Sequence, residues 1–569
     1  MNADRLLALY DRVAEAPDAI ARLRRFVLDL AIRGKLVGQD PTDEPASALL
    51  EQIAVEKARL AKAGEIKKPK ALPPVDDEPF DLPSSWRWVR IRDVTSDRGQ
   101  RIPDGEFTYI DVSAINKEAG VVAEPTVLAK NDAPSRARKI AAKDDVIYSC
   151  VRPYLMNVAI LDQEFAPPPI ASTAFAVLNG HGLVLPRYLW IALRSPFMVE
   201  CVEASQRGQV YPAINDAEFA VLPLPLPPLA EQRRIVAKVE ELMALLDGLE
   251  ATRQRREATR DRLTAASLAR LTAPEANMAE SRESARFALA TLPALTMRTD
   301  QVKRLRQTIL NLAVRGKLVG QDSSEEAAVD LLKRVGTLPP PPRYAKRSPE
   351  LIPGDCGLSI NKPDLPLADG WSWVPLVQVA RLESGHTPSR NRPDWWNGDI
   401  PWMGLVDARA HNNGRIVDTI QHTNEAGLAN SAARLLPAGT VCFSRTASVG
   451  YVVIMGRPMA TSQDFVNWVP TPAILSEWLQ LVMIAERPAI PRFSKGAVHQ
   501  TIYYPAWLSM HVALPPLSEQ RRIINRVDAL MALCDGLETA LTTADSARAR
   551  LLEALLQEAL TPSPVAQAA

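Results

Sequence analysis

The sequence predicts an α+β protein: two mixed α/β domains joined by two long α-helices, the whole arrangement duplicated within one chain. Three observations predict it. Two segments recur almost unchanged, 282 and 288 residues apart. The second of them carries a heptad pattern that spacing alone assigns to a long helix. The stretches between the recurring segments are short apolar runs punctuated by Gly, Pro and Asn, the texture of strands and turns.

Leu23 to Asp40 reads LRRFVLDLAIRGKLVGQD and matches Leu305 to Asp322, LRQTILNLAVRGKLVGQD, at 13 of 18 positions. Leu226 to Glu250 reads LPPLAEQRRIVAKVEELMALLDGLE and matches Leu514 to Glu538, LPPLSEQRRIINRVDALMALCDGLE, at 18 of 25. A weaker pair, LPSSWRWVRIRDV from Leu82 and LADGWSWVPLVQV from Leu367, lies between them. The period is far too long for a solenoid, so the repeated unit is itself multi-part. Plain duplication with drift would erode all segments alike. A preserved frame with divergent inserts instead suggests two interchangeable heads on one scaffold.

The elements follow in order. Residues 1–80 form a helical region: Leu23, Val27, Leu30 and Ala31 fall at helical spacing until Gly34 breaks the run, and a second helix spans about Glu44 to Ala63. Residues 81–225 form the first mixed domain, with short strands around Val146–Ser149, Val158–Leu161 and Phe175–Leu178 and a short helix from Arg187 to Arg194. Residues 226–272 form a long helix and 273–299 a linker. Residues 300–366 repeat the helical region and end in a linker containing the stiff run Pro339 to Pro342. Residues 367–513 form the second mixed domain, with strands around Val441–Ser444 and Tyr451–Ile454 and a helix at Leu475–Ala485. Residues 514–560 form the second long helix, and 561–569 a tail. Trp86, Trp88, Trp371 and Trp373 stand at matched entries to the two domains and read as core anchors.

Ile235, Val239, Leu242, Leu246 and Leu249 step by four and three, and Ile523, Val527, Leu530, Cys534, Leu537 and Leu541 repeat the seam. One apolar stripe on each helix must be covered. A globular core could cover it, but two matching seams in one chain favour mutual pairing, with Cys534 a small core residue. About 40 residues would make each helix about 60 Å long.

Composition excludes more than it names. Net charge is +1 with 67 basic and 66 acidic residues, which rules out a wholly basic nucleic-acid coat or an acidic tail protein. The five cysteines (Cys150, Cys201, Cys356, Cys442, Cys534) are dispersed and form no C-x-x-C, so neither a disulfide framework nor a thiolate zinc site is expected. No signal core or membrane-length apolar run occurs, and a reduced, soluble, cytoplasmic protein is expected. A P-loop would need a glycine and a hydroxyl that the Arg-Gly-Lys-Leu segments at Arg33 and Arg315 lack. An adenine methyltransferase would need an Asn- or Asp-Pro-Pro-aromatic loop, and the Pro-Pro pairs here follow Leu or Ala. Pro103-Asp104 and Pro393-Asp394 lack the acidic-x-Lys of a nuclease core. No catalytic constellation and no metal site is expected.

Taken together, the two Leu-Pro-Pro-Leu-Ala/Ser-Glu-Gln-Arg-Arg-Ile helices and the two segments ending Arg-Gly-Lys-Leu resemble the specificity (S) subunit of type I restriction–modification systems. Gly385-His386-Thr387-Pro388, Gly398-Asp399-Ile400-Pro401-Trp402, Phe443-Ser444-Arg445 and Ser462-Gln463-Asp464 resemble a common type of target recognition domain. Val151-Arg152-Pro153-Tyr154-Leu155 and Ser172-Thr173-Ala174-Phe175 resemble another type. The first domain lacks the Gly-x-Thr-Pro opening, so the two should read different sequences. The resemblance implies a non-catalytic chain whose recognition domains each read half of a split double-stranded DNA site. It implies long helices paired as an antiparallel coiled coil about a pseudo-two-fold, setting the gap. Two methyltransferase (M) subunits would dock on the helices and bind S-adenosylmethionine, and two motor-nuclease (R) subunits, where present, would bind ATP and Mg. Rival readings are a specificity subunit of another phage-defence DNA methylation system and a structural adaptor that binds no DNA.

Groove chemistry nominates the contact residues. In the first domain these are Arg98, Gln100, Arg101, Arg152, Tyr154, Asn157, Arg207 and Gln209, with Arg136, Arg138 and Lys139 as phosphate contacts. In the second they are His386, Ser389, Arg390, Arg445, Gln463, Lys495, His499 and Gln500. Residues 81–225 hold 15 basic against 17 acidic side chains, and residues 370–513 hold 11 against 9. DNA contact therefore has to come from local clusters, with partner subunits sharing the phosphate neutralisation.

Overall fold

The computed structural model describes residues 8, 10, 16, 18–68, 71–75, 78–207, 212–272, 298–495 and 500–560. The chain divides into two compact units, one of residues 1–257 with 544–569 and one of residues 258–543.

In the first unit the helices Ala19–Ile32 and Ala46–Lys62 lead into the first mixed α/β domain. Its entry strand, Arg87–Arg90, pairs antiparallel with its exit strand, Pro223–Leu226, so the domain hangs from a two-stranded stem. Within it, a five-stranded sheet runs in the order 175–178, 146–149, 158–160, 121–122, 115–116, and a four-stranded sheet in the order 126–128, 107–110, 169–172, 137–140. Helices Pro186–Leu193 and Pro196–Ser205 close the side toward the scaffold. A long helix, Leu229–Thr272, then begins directly after the stem.

The second unit repeats this plan. Helices Thr299–Val314 and Ala328–Val335 precede an entry strand, Ser372–Pro375, paired with the exit strand Met510–Leu514. Its five-stranded sheet runs 380–384, 465–470, 441–444, 452–455, 415–416, and a three-stranded sheet runs 421–423, 396–403, 460–461. A second long helix spans Leu517–Leu560. Each long helix has 44 residues, about 66 Å of rise. The region expected to be linker between 300 and 366 does more than connect. Its strands Leu358–Ile360 and Ile352–Pro353 extend the stem sheet beyond Met510–Leu514. Glu486, fully buried, accepts backbone N–H groups of Asp355, Cys356, Gly357 and Leu358 and fixes that hairpin.

The heptad seam needs a correction in its partner. Ile235, Val239, Leu242 and Leu246 are buried in one core with Leu23, Phe26, Val27 and Leu30 of the same unit, with Leu249 at its edge. Ile523, Val527 and Cys534 share the second unit's core with Ile309 and Ala313, with Leu530, Leu537 and Leu541 packed against it. A heptad stripe states that a face is covered but not by what, and here each unit's own recurring helix covers it. The distal end of the second long helix belongs to the first unit, where Leu552 and Leu555 are buried with Ala16 and Ala19, and Arg22 bonds Glu553 at 2.7 Å. The distal end of the first long helix is in the second unit, where Arg298 and Gln301 hold Asp261.

Candidate nucleic-acid interface

The copied segments meet at the base of each mixed α/β domain and lock it in the same way. Glu231 is fully buried; its Oε2 accepts the indole N–H of Trp86 at 2.9 Å and its Oε1 the amide of Gln39 at 2.7 Å. Glu519 does the same for Trp371 at 2.9 Å and Gln321 at 3.1 Å. Burial raises both carboxyls above their ordinary range, and the hydrogen bonds pull back part of the shift. The next residue, Gln232 or Gln520, accepts the backbone N–H of Leu185 or Leu475 and donates to a stem carbonyl, Pro227 or Pro515. Arg234 forks onto Asp43, Arg522 bonds Glu325, and Arg24 and Arg306 each bridge two carboxylates of their long helix. Gly34 and Gly316 turn the chain with φ of 66° and 68°, and a Cβ there would fall 2.4 Å from Pro83 and 2.5 Å from Ala368. Trp86 and Trp371 are core anchors; Trp88 and Trp373 are half-buried and donate to Phe80 and Leu365. The recurring motifs thus have a mechanical cause, the joint that holds each head. Sequence reasoning placed the copied helices but missed that Gln39, Glu231, Gln321 and Glu519 meet; their position inside the copied segments was the available signal.

Away from this joint, backbone bonds stitch the first domain's loops into one strip. Arg101 N–H donates to Arg138 O, Thr173 to Arg136, Cys150 to Ala174 and Arg152 to Pro212, while Arg207 pairs with Ala213. Along it Gln100, Arg101, Arg136, Arg152 and Tyr154 are exposed, and Arg138 and Asn157 are half-exposed. Arg101 and Arg136 make no ion pair among the described residues, and Arg152 sits in the left-handed region at φ 50°. Other candidates are engaged by carboxylates of the domain. Lys139 is 2% exposed and lies between Asp97 (3.0 Å) and Asp216, which removes it from phosphate reach. Arg98, half-buried, bonds the buried Asp145 at 2.7 Å, whereas Arg207 pairs with Glu218 and stays exposed on the strip. Gln209 lies outside the described residues.

In the second domain a corresponding strip forms. His386 N–H donates to Thr461 O, Arg445 N–H to Asp464 O and Ile502 N–H to Arg445 O, while Thr446 and Lys495 both pair with Thr501. A Cβ at Gly385 would lie 2.0 Å from Ser462 O, the close approach that the Gly-x-Thr-Pro opening serves. Thr387 bonds Gln463, and Arg445 donates to Gln463 O and lies over Tyr504. His386, Ser389, Arg390, Gln463, Lys495 and Gln500 are exposed, with Lys495 3.9 Å from Glu350; His499 lies outside the described residues.

The two strips match position by position but not in chemistry. Ile214 N–H donates to Cys150 O as Ile502 does to Arg445 O, both at 3.0 Å. Val151 pairs with Ala213 as Thr446 pairs with Thr501, and Arg207 stands where Lys495 stands. Two residues beyond Cys150 and Arg445 come Arg152 and Ala447, both left-handed, at φ 50° and 61°. The same loop therefore carries its arginine at different places in the two domains.

All five cysteines are free thiols, and among the described residues no helix is long and apolar enough to cross a membrane.

Comparison with known proteins agrees with this geometry. The type I restriction–modification DNA specificity domain matches twice, over residues 83–258 and 368–544. The chain is 28% identical to the type I restriction enzyme EcoAI specificity subunit of Escherichia coli, over 95% of this chain and 94% of that one. It is 27% identical to the EcoEI specificity subunit of the same organism, with the same coverage. A chain from a study of complex assembly and conformational transition in a type I restriction–modification system superposes with a TM-score of 0.52 at 25% identity, over 84% of this chain and 99% of that chain. With two recognition domains on duplicated joints, this chain belongs to the specificity subunits of type I restriction–modification systems, a DNA-binding family.

Proposed function

We propose that each recognition domain reads one half of a split double-stranded DNA site through its exposed strip. The observation that carries this is the matched pair of loops whose backbone bonds agree while their side chains differ. The strip's exposed and half-exposed candidates are Gln100, Arg101, Arg136, Arg138, Arg152, Tyr154, Asn157 and Arg207 in the first domain. In the second they are His386, Ser389, Arg390, Arg445, Gln463, Lys495 and Gln500. The two long helices pair as an antiparallel coiled coil and set the gap between half-sites. Each compact unit containing the start of one long helix and the end of the other supports this.

The chain supplies position, not chemistry. Two M subunits dock on the duplicated helical surfaces and methylate adenine with S-adenosylmethionine, and two R subunits add ATP- and Mg-dependent activity where the system has them. The near-balanced charge of each recognition domain supports a complex in which partners share the phosphate contacts. Co-expression with the M partner and genome-wide mapping of N6-methyladenine tests the reading. Exchanging residues 82–222 for the equivalent domain of a relative should change one half of the methylated motif. A change in both halves, or none, refutes it.

A further inference from the structure

Arg390 is exposed, yet its guanidinium is held on three sides. Its Cζ lies 4.2 Å from the ring centroid of Trp396 and 5.0 Å from that of Trp402. The two indoles meet edge to face, 5.2 Å apart at 84°. Trp402 Nε1 donates to His386 O at 3.0 Å and Trp396 Nε1 to Ser389 O at 3.2 Å, so the loop carrying Arg390 is latched onto the rings. Arg390 Nη2 donates to Gln421 Oε1 at 2.9 Å, and Gln421 stands directly across from Trp402 in the sheet. Other arginines of the domain, Arg392, Arg415 and Arg434, are each paired with a carboxylate; Arg390 makes no ion pair among the described residues.

A guanidinium only donates, so Gln421 must turn its oxygen toward Arg390 and its amide N–H groups away. The pair then offers the solvent a donors-only array of fixed direction. In the major groove guanine alone presents two adjacent acceptors. Adenine presents an acceptor with a donor, thymine an acceptor with a methyl, and cytosine a donor. We infer that Arg390, with Gln421 beside it, reads one guanine in the second half-site, and that Trp396 and Trp402 hold the guanidinium in its reading plane. The inference rests on the half-site reading proposed above.

The test uses the full chain co-purified with its M partner and duplexes carrying its mapped motif. Each guanine of the second half is replaced in turn by 7-deazaguanine, which lacks the N7 acceptor. One such replacement should weaken wild-type binding by about 5- to 150-fold. Arg390→Lys should lose a similar factor on unmodified DNA and little more on the modified duplex, while discrimination in the first half stays intact. Gln421→Ala should give a smaller loss at the same base. The assignment is overturned if Arg390→Lys binds like wild type or if its loss is equal on specific and scrambled DNA, as at a phosphate. A second half-site without guanine also overturns it. Failure of the underlying reading looks different: exchanging residues 367–513 would leave the methylated motif unaltered. Discrimination at the other bases of the second half, measured on the same preparation, reports whether each variant is folded.

Discussion

Replacing Glu231 with leucine removes both acceptors at the centre of the first joint. Trp86 is 1% exposed, so its indole N–H, now 2.9 Å from an acceptor, would be left buried and unpaired. That costs about 1–3 kcal/mol. Gln39 is exposed and can turn its amide to water at little cost. Removing a carboxylate whose burial is itself unfavourable offsets part of the loss, leaving a net of about 2 kcal/mol. In a unit of this size that lowers the unfolding midpoint by roughly 3–4 °C. Glu519→Leu should do the same in the second unit, where Trp371 and Gln321 lose their acceptors. Thermal unfolding followed by circular dichroism and tryptophan fluorescence reads the shift. The pH dependence adds a check of sign. A carboxyl raised above its ordinary value of about 4.5 binds its proton more tightly in the folded state. Its stabilising contribution is present below that value and is lost as pH rises through the folded value. Glu231→Gln keeps an acceptor for Trp86, should cost less than about 1 kcal/mol, and should flatten the stability profile in that window. Unchanged midpoints in both leucine variants would refute the joint as the source of the copied motif.

Three further outcomes are expected. Inserting one heptad into a long helix, beyond the part buried in its own unit, should lengthen the gap in the methylated motif without changing its bases; mapped motifs with altered bases would count against a ruler. Arg152→Gly should relieve about 1 kcal/mol of left-handed backbone strain and leave the midpoint equal or higher, while costing about 1–3 kcal/mol of discrimination at one first-half base; a loss uniform over all sequences in binding titrations would mark a phosphate contact instead. Purified alone, the chain should transfer no methyl group even with S-adenosylmethionine, ATP and Mg, and native mass spectrometry should show two M subunits per chain once they are added; saturation at one would contradict two equivalent docking surfaces.

Fold and duplication were legible in the sequence because they rest on periodicity and on copying. The strands at Phe175–Leu178 and Val441–Ser444 fall where Gly, Pro and Asn punctuate the chain, and Val146–Ser149 follows a pair of aspartates. The stem-sheet role of Leu358–Ile360 was not legible: three residues after a proline-rich stretch carry no alternation long enough to read. The heptads gave an apolar face but not its partner, because Ile235 and Val239 satisfy the same spacing against a short helix as against a long one. For the site, residue type alone could not separate Lys139 from Arg136. Both are basic and three residues apart, yet Asp97 and Asp216, 42 and 77 residues away, converge only on Lys139. Trp396 and Trp402 went unnoticed as a brace for Arg390, since the strand crossing that brings Gln421 opposite Trp402 is a property of the sheet.

The same separation explains how the frame stays copied while the heads diverge. At the joint, Glu231, Trp86, Gln39 and Gly34 constrain one another: a change in any one leaves a buried donor, a buried charge or a Cβ without room. Selection for a folded head therefore holds all four together, and holds Glu519, Trp371, Gln321 and Gly316 likewise. On the strip, the bonds that fix the loops run through backbone atoms, such as Ile214 N–H to Cys150 O and Ile502 N–H to Arg445 O. Backbone bonds are indifferent to the side chains that ride on them, so cysteine can stand where arginine stands and alanine where Arg152 stands. The limit on exchange comes from below the strip, at Lys139, where Asp97 leads the loop holding Gln100 and Arg101 and Asp216 opens the helix after Ala213. Methionine at that position would leave the half-exposed Asp97 and Asp216 without the buried cation between them, so the strip's side chains are free to vary only while that ion triad is kept.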